Sequence, residues 1–360
     1  MLLSKRSAGR DNNFNLLRMI AASGVLVSHA YPIALGPDAI EPFELALRGD
    51  NLGRACVFVF FAISGFFITR SYAQKEAPWK FLYARMMRLF PGLIVMALIT
   101  TVLLGLFLTS SAWKDFIFLG AKYFLGVVSF SYISDVSVLP GVFSDNPLPR
   151  AINGSLWSLK FEVQCYLAVF VAGLFGLFRH PVWCAILFGL ICAAYFVLPS
   201  MTGRSDILLL LYVGFPFAVG AAFYIWRDRI RLSWGIALAL VALTMLSWFA
   251  PILIFRMIFN VTLAYVIFCL GYAETPLLQR YNKLGDYSYG MYIYAFPIQQ
   301  AVAAAGVTSP LLNILIAFPC TLFCAVLSWH LIEQPSMRLF RGRRSKPEKQ
   351  PHATHFAGNP

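Results

Sequence analysis

The chain has 360 residues, of which 59% are hydrophobic and only 12% are charged, and its mean hydropathy is +0.70. This composition is typical of integral membrane proteins and excludes an ordinary soluble domain. The formal net charge of +13 would suit a nucleic-acid-binding protein, but the cations concentrate in the loops on one side of the predicted membrane. No nucleic-acid partner is therefore predicted.

Apolar runs close to the length of a bilayer crossing recur along the whole chain. Because lipid offers no hydrogen bonds to the backbone, each run predicts a transmembrane helix. The first run is too long and too polar at its start to be a cleaved signal peptide. The sequence predicts an all-α, polytopic membrane protein with about ten spans, at about 14–35, 52–73, 89–109, 155–178, 182–198, 206–226, 232–250, 251–272, 285–306 and 309–333.

The positive-inside rule assigns the more basic set of loops, and with it both termini, to the cytoplasm. An apolar segment at 115–133 is predicted to lie on or dip into the outer face, because a full crossing would destroy the charge asymmetry. Residues 1–340 are predicted to form the membrane domain, and 341–360 a basic, disordered cytoplasmic tail. The predicted cytoplasmic cations are Lys5, Arg6, Arg10, Lys75, Lys80, Arg85, Arg88, Arg179, Arg227, Arg229, Arg231, Arg280, Lys283 and those from Arg338 to Lys349. Those on the opposite side are Arg48, Lys114, Lys122, Arg150 and Arg204.

Two ionisable residues, Arg18 and His29, lie in the first predicted span, with ten residues between them. At about 100° per residue, eleven steps return an α-helix to nearly the same azimuth, so one face should carry both side chains. Their separation along the axis is about 16 Å. Because ionisable groups inside a membrane are costly, the pair predicts a polar path with a titratable group at its inner end. The alternative for His29 is a histidine that only packs between helices.

The predicted topology places Arg18 near the cytoplasmic entry and His29 in the outer half of the membrane. Glu162 lies about two turns into the fourth span, at a depth similar to that of His29. A neutral histidine can accept a proton from a hydroxyl, and a carboxylate can orient the histidine or share its proton. Lys160 should point to another face, where snorkelling or a structural ion pair is expected.

A second candidate group lies at the cytoplasmic ends of the spans. Arg85 and Arg88 are three residues apart, hence neighbours on one helical face just before Pro91. Such a pair could bind the phosphates of a nucleotide-like donor. The alternative is a positive-inside anchor, which is the role expected for Lys75 and Lys80.

Six segments that occur in this order resemble the successive signature segments of the membrane-bound acyltransferase-3 family. They are NFNLLRMIAASGVLVSHAYPI, FVFFAISGFFITRSY, FLYARMMRLFPGLIV, NGSLWSLKFEVQCYL, LGDYSYGMYIYAFPIQQ and SWHLIEQPSMRLF. The resemblance covers about residues 12–340 and implies a bacterial enzyme that O-acetylates lipopolysaccharide O-antigens, exopolysaccharides, lipo-chitooligosaccharides or related glycans.

The resemblance also implies roles for particular residues. Arg18 and His29 match an arginine–ten residues–histidine motif in which the histidine is catalytic, and Glu162 matches the glutamate of a WSL-x-x-E segment. Arg85 and Arg88 match the arginines that bind the phosphates of coenzyme A in the donor.

Three further residues in the matching segments are candidates to line a cavity. They are Ser64, Tyr292 and Tyr294, although packing explains each of them equally well. For Ser64 and its neighbour Gly65, the packing partner would be the first span.

The chain departs from the family pattern in two segments. Many relatives have an acidic residue where this chain has Val163, and a histidine where it has Ala295. A mechanism that needs a second carboxylate or a second histidine there is therefore not expected. Glu333 and Arg338 match the last segment, where a structural ion pair is expected. The hydrolase-like domain that is fused to some relatives is expected to be absent.

The resemblance implies an O-acyltransferase of the bacterial inner membrane that moves acetyl from cytoplasmic acetyl-CoA to a hydroxyl of a cell-surface or lipid-linked glycan. Acetyl-CoA is then a donor substrate, and no cofactor is bound. Either the membrane domain completes the transfer alone, or separate polysaccharide-assembly partners take part. The seven cysteines form no Cys-x-x-Cys pair or His/Cys cluster, so no metal site is predicted. The alternatives are a transporter of a solute or lipid-linked glycan, which should show two symmetric halves, and a catalytically silent scaffold.

Overall fold

A computed structural model describes residues 1–9, 11–74, 77–131, 138–201, 206–275 and 280–342. The described chain is helical, with connecting loops and one isolated antiparallel bridge between Leu2 and Arg231. The α-helices are α1 Leu3–Ser7, α2 Phe14–Leu35, α3 Pro42–Ala46, α4 Leu52–Ala73, α5 Pro78–Leu108, α6 Trp113–Val128, α7 Trp157–Leu174, α8 Pro181–Met201, α9 Asp206–Ile225, α10 Trp234–Leu246, α11 Ile252–Gly271, α12 Ser288–Ala304, α13 Pro310–Ser328 and α14 Gln334–Gly342.

The helices agree with the predicted all-α membrane fold, and each predicted span overlaps one of them. Among the described residues, seven helices are long and apolar enough to cross a membrane: α2, α4, α5, α8, α9, α11 and the continuous segment from α13 into α14. The others that overlap predicted spans are shorter or more polar. Helices α10 and α12 have 13 and 17 residues, and α7 carries Lys160 and Glu162. The count of ten spans thus stays a prediction.

Helix α5 begins eleven residues before the predicted span. Pro78 occupies its first turn, where a missing backbone N–H costs nothing. The helix then continues through Pro91, so that Arg85 and Arg88 are part of the same long helix as the apolar run.

Helices α2 and α4 form the centre of the bundle. Helix α2 packs against α4, α12 and α13, while α4 also packs against α7, α9 and α11. Gly65 of α4 allows the closest of these contacts, but the partner is α9 and not the first span, contrary to the prediction. A β-carbon at Gly65 would lie 2.0 Å from the backbone oxygen of Phe217, and one at Gly220 would lie 2.0 Å from that of Ala62.

The loops gather at two ends of the bundle. At one end the N-terminal segment contacts the loop after α9, where Leu3 donates its N–H to the carbonyl of Ile230 at 2.9 Å. At the other end Arg48 donates to the carbonyl of Ala250 at 2.8 Å. The N-terminus and the basic 227–231 loop therefore share one end, as the charge distribution predicts.

Some predicted features fall outside the described residues. Arg10, Lys75, Arg204, the last two residues of segment 115–133 and the tail from residue 343 onward are among them. The described part of segment 115–133 lies in α6 and the turn after it, and α6 packs against α5.

We expect Gly65→Ala to lower the free energy of unfolding by about 1–3 kcal/mol or more, because the new methyl group would displace the backbone of α9. Thermal unfolding of the purified protein in detergent measures this loss. Gly189→Ala in α8 is the matched control, since no atom lies within 4 Å of a β-carbon there. An equal loss in both variants would contradict the close-contact explanation.

Candidate active site

Of the eight predicted site residues, all but Tyr294 line two neighbouring cavities in the bundle. The smaller one, about 100 Å³, is called the arginine cavity, and its polar residues are Arg18, Ser64, Arg85, Arg88, Ser158, Glu162, Tyr166, Ser288, Tyr289 and Tyr292. The larger one, about 760 Å³, is called the histidine cavity, and its polar residues are His29, Asn51, Arg54, Trp157, Tyr195, Asp206, Tyr212, Arg256 and Tyr292. Arg18 and His29 thus belong to one helix but to different cavities.

An ion-pair cluster forms one side of the arginine cavity. The Nη2 atom of Arg88 lies 2.6 Å from Oδ2 of Asp286, and its Nη1 atom lies 2.8 Å from Oε2 of Glu333. Arg18 shares Asp286, with its Nη1 atom 3.6 Å from Oδ2. Asp286 therefore holds both arginines.

Glu333 pairs with Arg88, so the predicted ion pair between Glu333 and Arg338 is wrong. A π-helical turn, Trp329–Glu333, connects α13 to α14. A π-helical turn is wider than an α-helical turn, so it changes the direction in which the following side chains project. Such turns are frequent at functional sites. Glu333 is buried, accepts a 2.9 Å hydrogen bond from Ser328 and faces α5, whereas Arg338 is exposed in α14.

Arg85 differs from Arg88 although the sequence pairs them. Within the described part of the chain, Arg85 makes no ion pair, and its buried Nε atom has no hydrogen-bond partner. Its charge is thus not neutralised by a direct partner, whereas that of Arg88 is shared between two carboxylates. Arg85 is therefore more available than Arg88 to bind an anion.

Glu162 lies in the arginine cavity and not beside His29. Its Oε1 atom accepts hydrogen bonds from the hydroxyl of Tyr166, one turn later in α7, and from Oγ of Ser64 at 3.4 Å. Ser64 therefore reaches the cavity from α4, while its neighbour Gly65 packs against α9. Among the described residues, Ser155 and not Glu162 is the hydrogen-bond partner of His29.

His29 borders the histidine cavity from α2. Its Nδ1 atom lies 3.4 Å from Oγ of Ser155, at the turn that begins α7, and the ring of Phe296 meets its ring edge-on at 5.1 Å between centroids. These two contacts orient the imidazole, and a ring nitrogen remains for a ligand.

A second polar network borders the histidine cavity and was not predicted from the sequence. The Nε atom of Arg256 lies 3.1 Å from Oδ2 of Asp50, and Nη1 of Arg54 lies 3.4 Å from Oδ1. The hydroxyl of Tyr212 also donates to Asp50. The available signal was a single arginine, Arg256, within an otherwise uncharged apolar run.

Lys160 forms an ion pair with Asp206, which borders the histidine cavity. The prediction of a structural pair for Lys160 is thereby confirmed. Its side chain leaves α7 on a different face from Glu162, as the spacing of two residues requires.

Tyr292 and Tyr294 have different surroundings. Tyr292 borders both cavities, whereas Tyr294 is buried and borders neither cavity. Across the described residues, no group of three His, Cys, Asp or Glu side chains is close enough to hold a metal ion.

Comparison with known proteins matches the sequence of this chain to one family. The family model described as "Acyltransferase domain" matches residues 11–330. The O-acetyl transferase of Shigella phage Sf6 is 28% identical over 342 residues, which cover 90% of this chain and 96% of the phage protein. Nodulation protein 10 of Rhizobium leguminosarum bv. viciae is also 28% identical, over 375 residues that cover 93% and 96% of the two chains. No solved structure shows a significant match. The chain belongs to the acyltransferase-3 family and is a membrane O-acyltransferase.

Proposed function

We propose that this protein transfers an acetyl group from acetyl-CoA to a hydroxyl of a cell-surface or lipid-linked glycan. The observation that carries the proposal is the pair of adjoining cavities, one lined by arginines and the other by His29. The name of the phage relative, an O-acetyl transferase, supports acetyl as the transferred group. Membership in an acyltransferase family also favours an enzyme over the transporter that the spans alone allowed.

The histidine cavity is proposed to hold the acceptor. Its volume of about 760 Å³ lies within the range of about 300–1,000 Å³ that is usual for small-molecule sites. Its aromatic residues supply apolar surface, and Arg54 and Arg256, both held by Asp50 behind the lining, supply a few fixed polar groups. This mixture suits a saccharide, which has apolar ring faces and many hydroxyls.

His29 is proposed to act as general base on the acceptor hydroxyl. Because Nδ1 faces Ser155, Nε2 is the nitrogen that would receive the proton. The hydroxyl oxygen attacks the thioester carbonyl carbon, a C–O bond forms, and the C–S bond breaks. The proton taken by His29 then passes to the departing coenzyme A thiolate.

The arginine cavity is proposed to receive the thioester end of the donor. Arg85 is the arginine assigned to the anionic donor, because Arg88 is already paired with two carboxylates. Arg18 is held by Asp286 and lies about 16 Å from His29 along α2, so it would shape the donor side of the path and not contact the reacting carbonyl. Glu162, held by Tyr166 and Ser64, would position the donor on this side and not share a proton with His29.

The end of the bundle that carries the N-terminus is proposed to face the cytoplasm of a bacterial inner membrane. The N-terminus and the basic 227–231 loop meet there, and the positive-inside rule assigns basic loops to the cytoplasm. Acetyl-CoA would then enter from the cytoplasm, and the acceptor would bind nearer the outer leaflet.

Thiol labelling tests this orientation in intact cells. We expect a cysteine at Arg229 to resist a membrane-impermeant reagent until the cells are permeabilised, whereas a cysteine at Ser144 reacts at once. Both positions are exposed, in loops at opposite ends of the bundle. The reverse pattern would overturn the orientation.

We expect His29→Ala to abolish acetylation, with a loss of at least about 100-fold that is typical for removal of a general base. Glu162→Gln should reduce acetylation but leave residual activity. The measurement is the acetyl content of surface polysaccharides, by NMR, in a deletion strain that expresses each variant. The exposed His180, replaced by alanine, is the matched control. Wild-type acetylation in the His29→Ala strain would refute the site, and an unchanged glycan in the deletion strain would refute the function.

We expect Arg85→Gln to raise the KM for acetyl-CoA at least about tenfold, because one charge-assisted contact to an anion contributes about 1.5–3 kcal/mol. Steady-state release of free coenzyme A by the purified enzyme, with envelope glycans as acceptor, provides the measurement. Arg229→Gln makes the same charge change on an exposed loop and should leave KM unchanged. Equal KM values for both variants would remove Arg85 from the donor site.

A further inference from the structure

The two cavities share two of their lining residues. Val57 of α4 and Tyr292 of α12 border both the arginine cavity and the histidine cavity. Any group that moves from one cavity to the other must therefore pass between or beside these two side chains.

Tyr292 is held firmly in this position. Its hydroxyl donates to the backbone carbonyl of Ser155 at 2.6 Å and shares a 2.7 Å hydrogen bond with Oγ of Ser158. Its ring meets the ring of Phe60 edge-on at 5.8 Å. With its hydroxyl anchored to α7 and its ring packed on α4, the tyrosine is a rigid wall.

Val57 is the second residue that borders both cavities. It is buried within the core and lies one helical turn before Phe60, which also lines the arginine cavity. A β-branched side chain on a helix has one strongly preferred rotamer, so Val57 cannot easily turn aside.

The arginine cavity, which Val57 and Tyr292 border, is small. The arginine cavity measures about 100 Å³, well below the roughly 300 Å³ at which typical ligand pockets begin. Aromatic and aliphatic side chains, including Phe61, Ile68 and Leu89, close much of its surface. There is room for the end of a thioester with a short acyl group, and a longer chain would meet packed core.

We propose that Val57 and Tyr292 form a constriction that restricts the donor to short-chain acyl thioesters and so determines which acyl group is transferred. The inference rests on the proposed acyl transfer. The acyl carbonyl carbon must reach the acceptor oxygen beside His29, where the C–O bond forms and the C–S bond to coenzyme A breaks. Because Val57 presents only apolar atoms, its effect is on the size of the acyl group and not on the proton transfer.

The test is a competition between donors. The full-length enzyme, in membranes that contain the envelope glycans of the source strain, receives equal amounts of acetyl-, propionyl- and butyryl-CoA. Mild alkali then releases the ester-bound acyl groups, which are measured by gas chromatography and mass spectrometry. We expect Val57→Ala to raise the butyryl-to-acetyl ratio at least about tenfold, since one methylene in an apolar pocket can discriminate by 10-fold or more.

Val59→Ala is the matched control, because Val59 is buried in the same helix but borders neither cavity. It should leave the ratio at the wild-type value. If the Val57→Ala protein does not accumulate, Val57→Ile tests the constriction by adding one methylene to it. Acetyl transfer per folded enzyme should then fall about tenfold, whereas Val59→Ile should leave acetyl transfer at the wild-type rate.

The proposed constriction would be wrong if Val57→Ala left the butyryl-to-acetyl ratio unchanged, or if Val59→Ala raised this ratio by the same factor. Neither result would contradict acetyl transfer by the wild-type enzyme. If the wild-type enzyme esterifies no glycan with any of the three donors, the proposed function fails, and the constriction fails with it.

Discussion

The ion-pair cluster of Arg88, Asp286 and Glu333 joins three parts of the chain that are far apart in sequence. Asp286 lies 198 residues from Arg88, and Glu333 lies 245 residues from it. Loss of one partner from a buried ion pair costs about 3–5 kcal/mol, because the remaining charge has neither water nor a counter-charge. The cluster thus holds α5 against the beginning of α12 and the π-helical turn. One wall of the arginine cavity depends on this contact.

Because Arg88 and Arg18 share Asp286, the cluster also determines which cation is free. Arg85 projects from the same helix without an ion-pair partner among the described residues. In the proposed reaction, Arg85 is therefore available to bind the donor, while Arg18 and Arg88 stabilise the wall of the donor cavity. Arg18 connects the cluster to His29 through a single rigid helix, α2, so the two halves of the proposed site keep a constant separation.

The sequence predicted the helices well and their partners poorly. Long apolar runs can only be helices in lipid, and each predicted span overlaps a helix. Gly65 was assigned to the wrong neighbour and Glu333 to the wrong arginine, since spacing shows which residues share a face but not what faces them. Asp50 and Arg256, which are 206 residues apart, were not recognised as a pair for the same reason.

The sequence by itself determined the fold class, the family and the presence of Arg18, His29, Glu162 and Arg85 in apolar surroundings. Composition, periodicity and ordered motifs are local properties of the chain, and these conclusions need no others. Only the tertiary structure separated His29 from Glu162, distinguished Arg85 from Arg88 and placed Tyr292 between two cavities. Each of these depends on contacts between helices that are distant in sequence, and packing, rather than local pattern, selects such contacts.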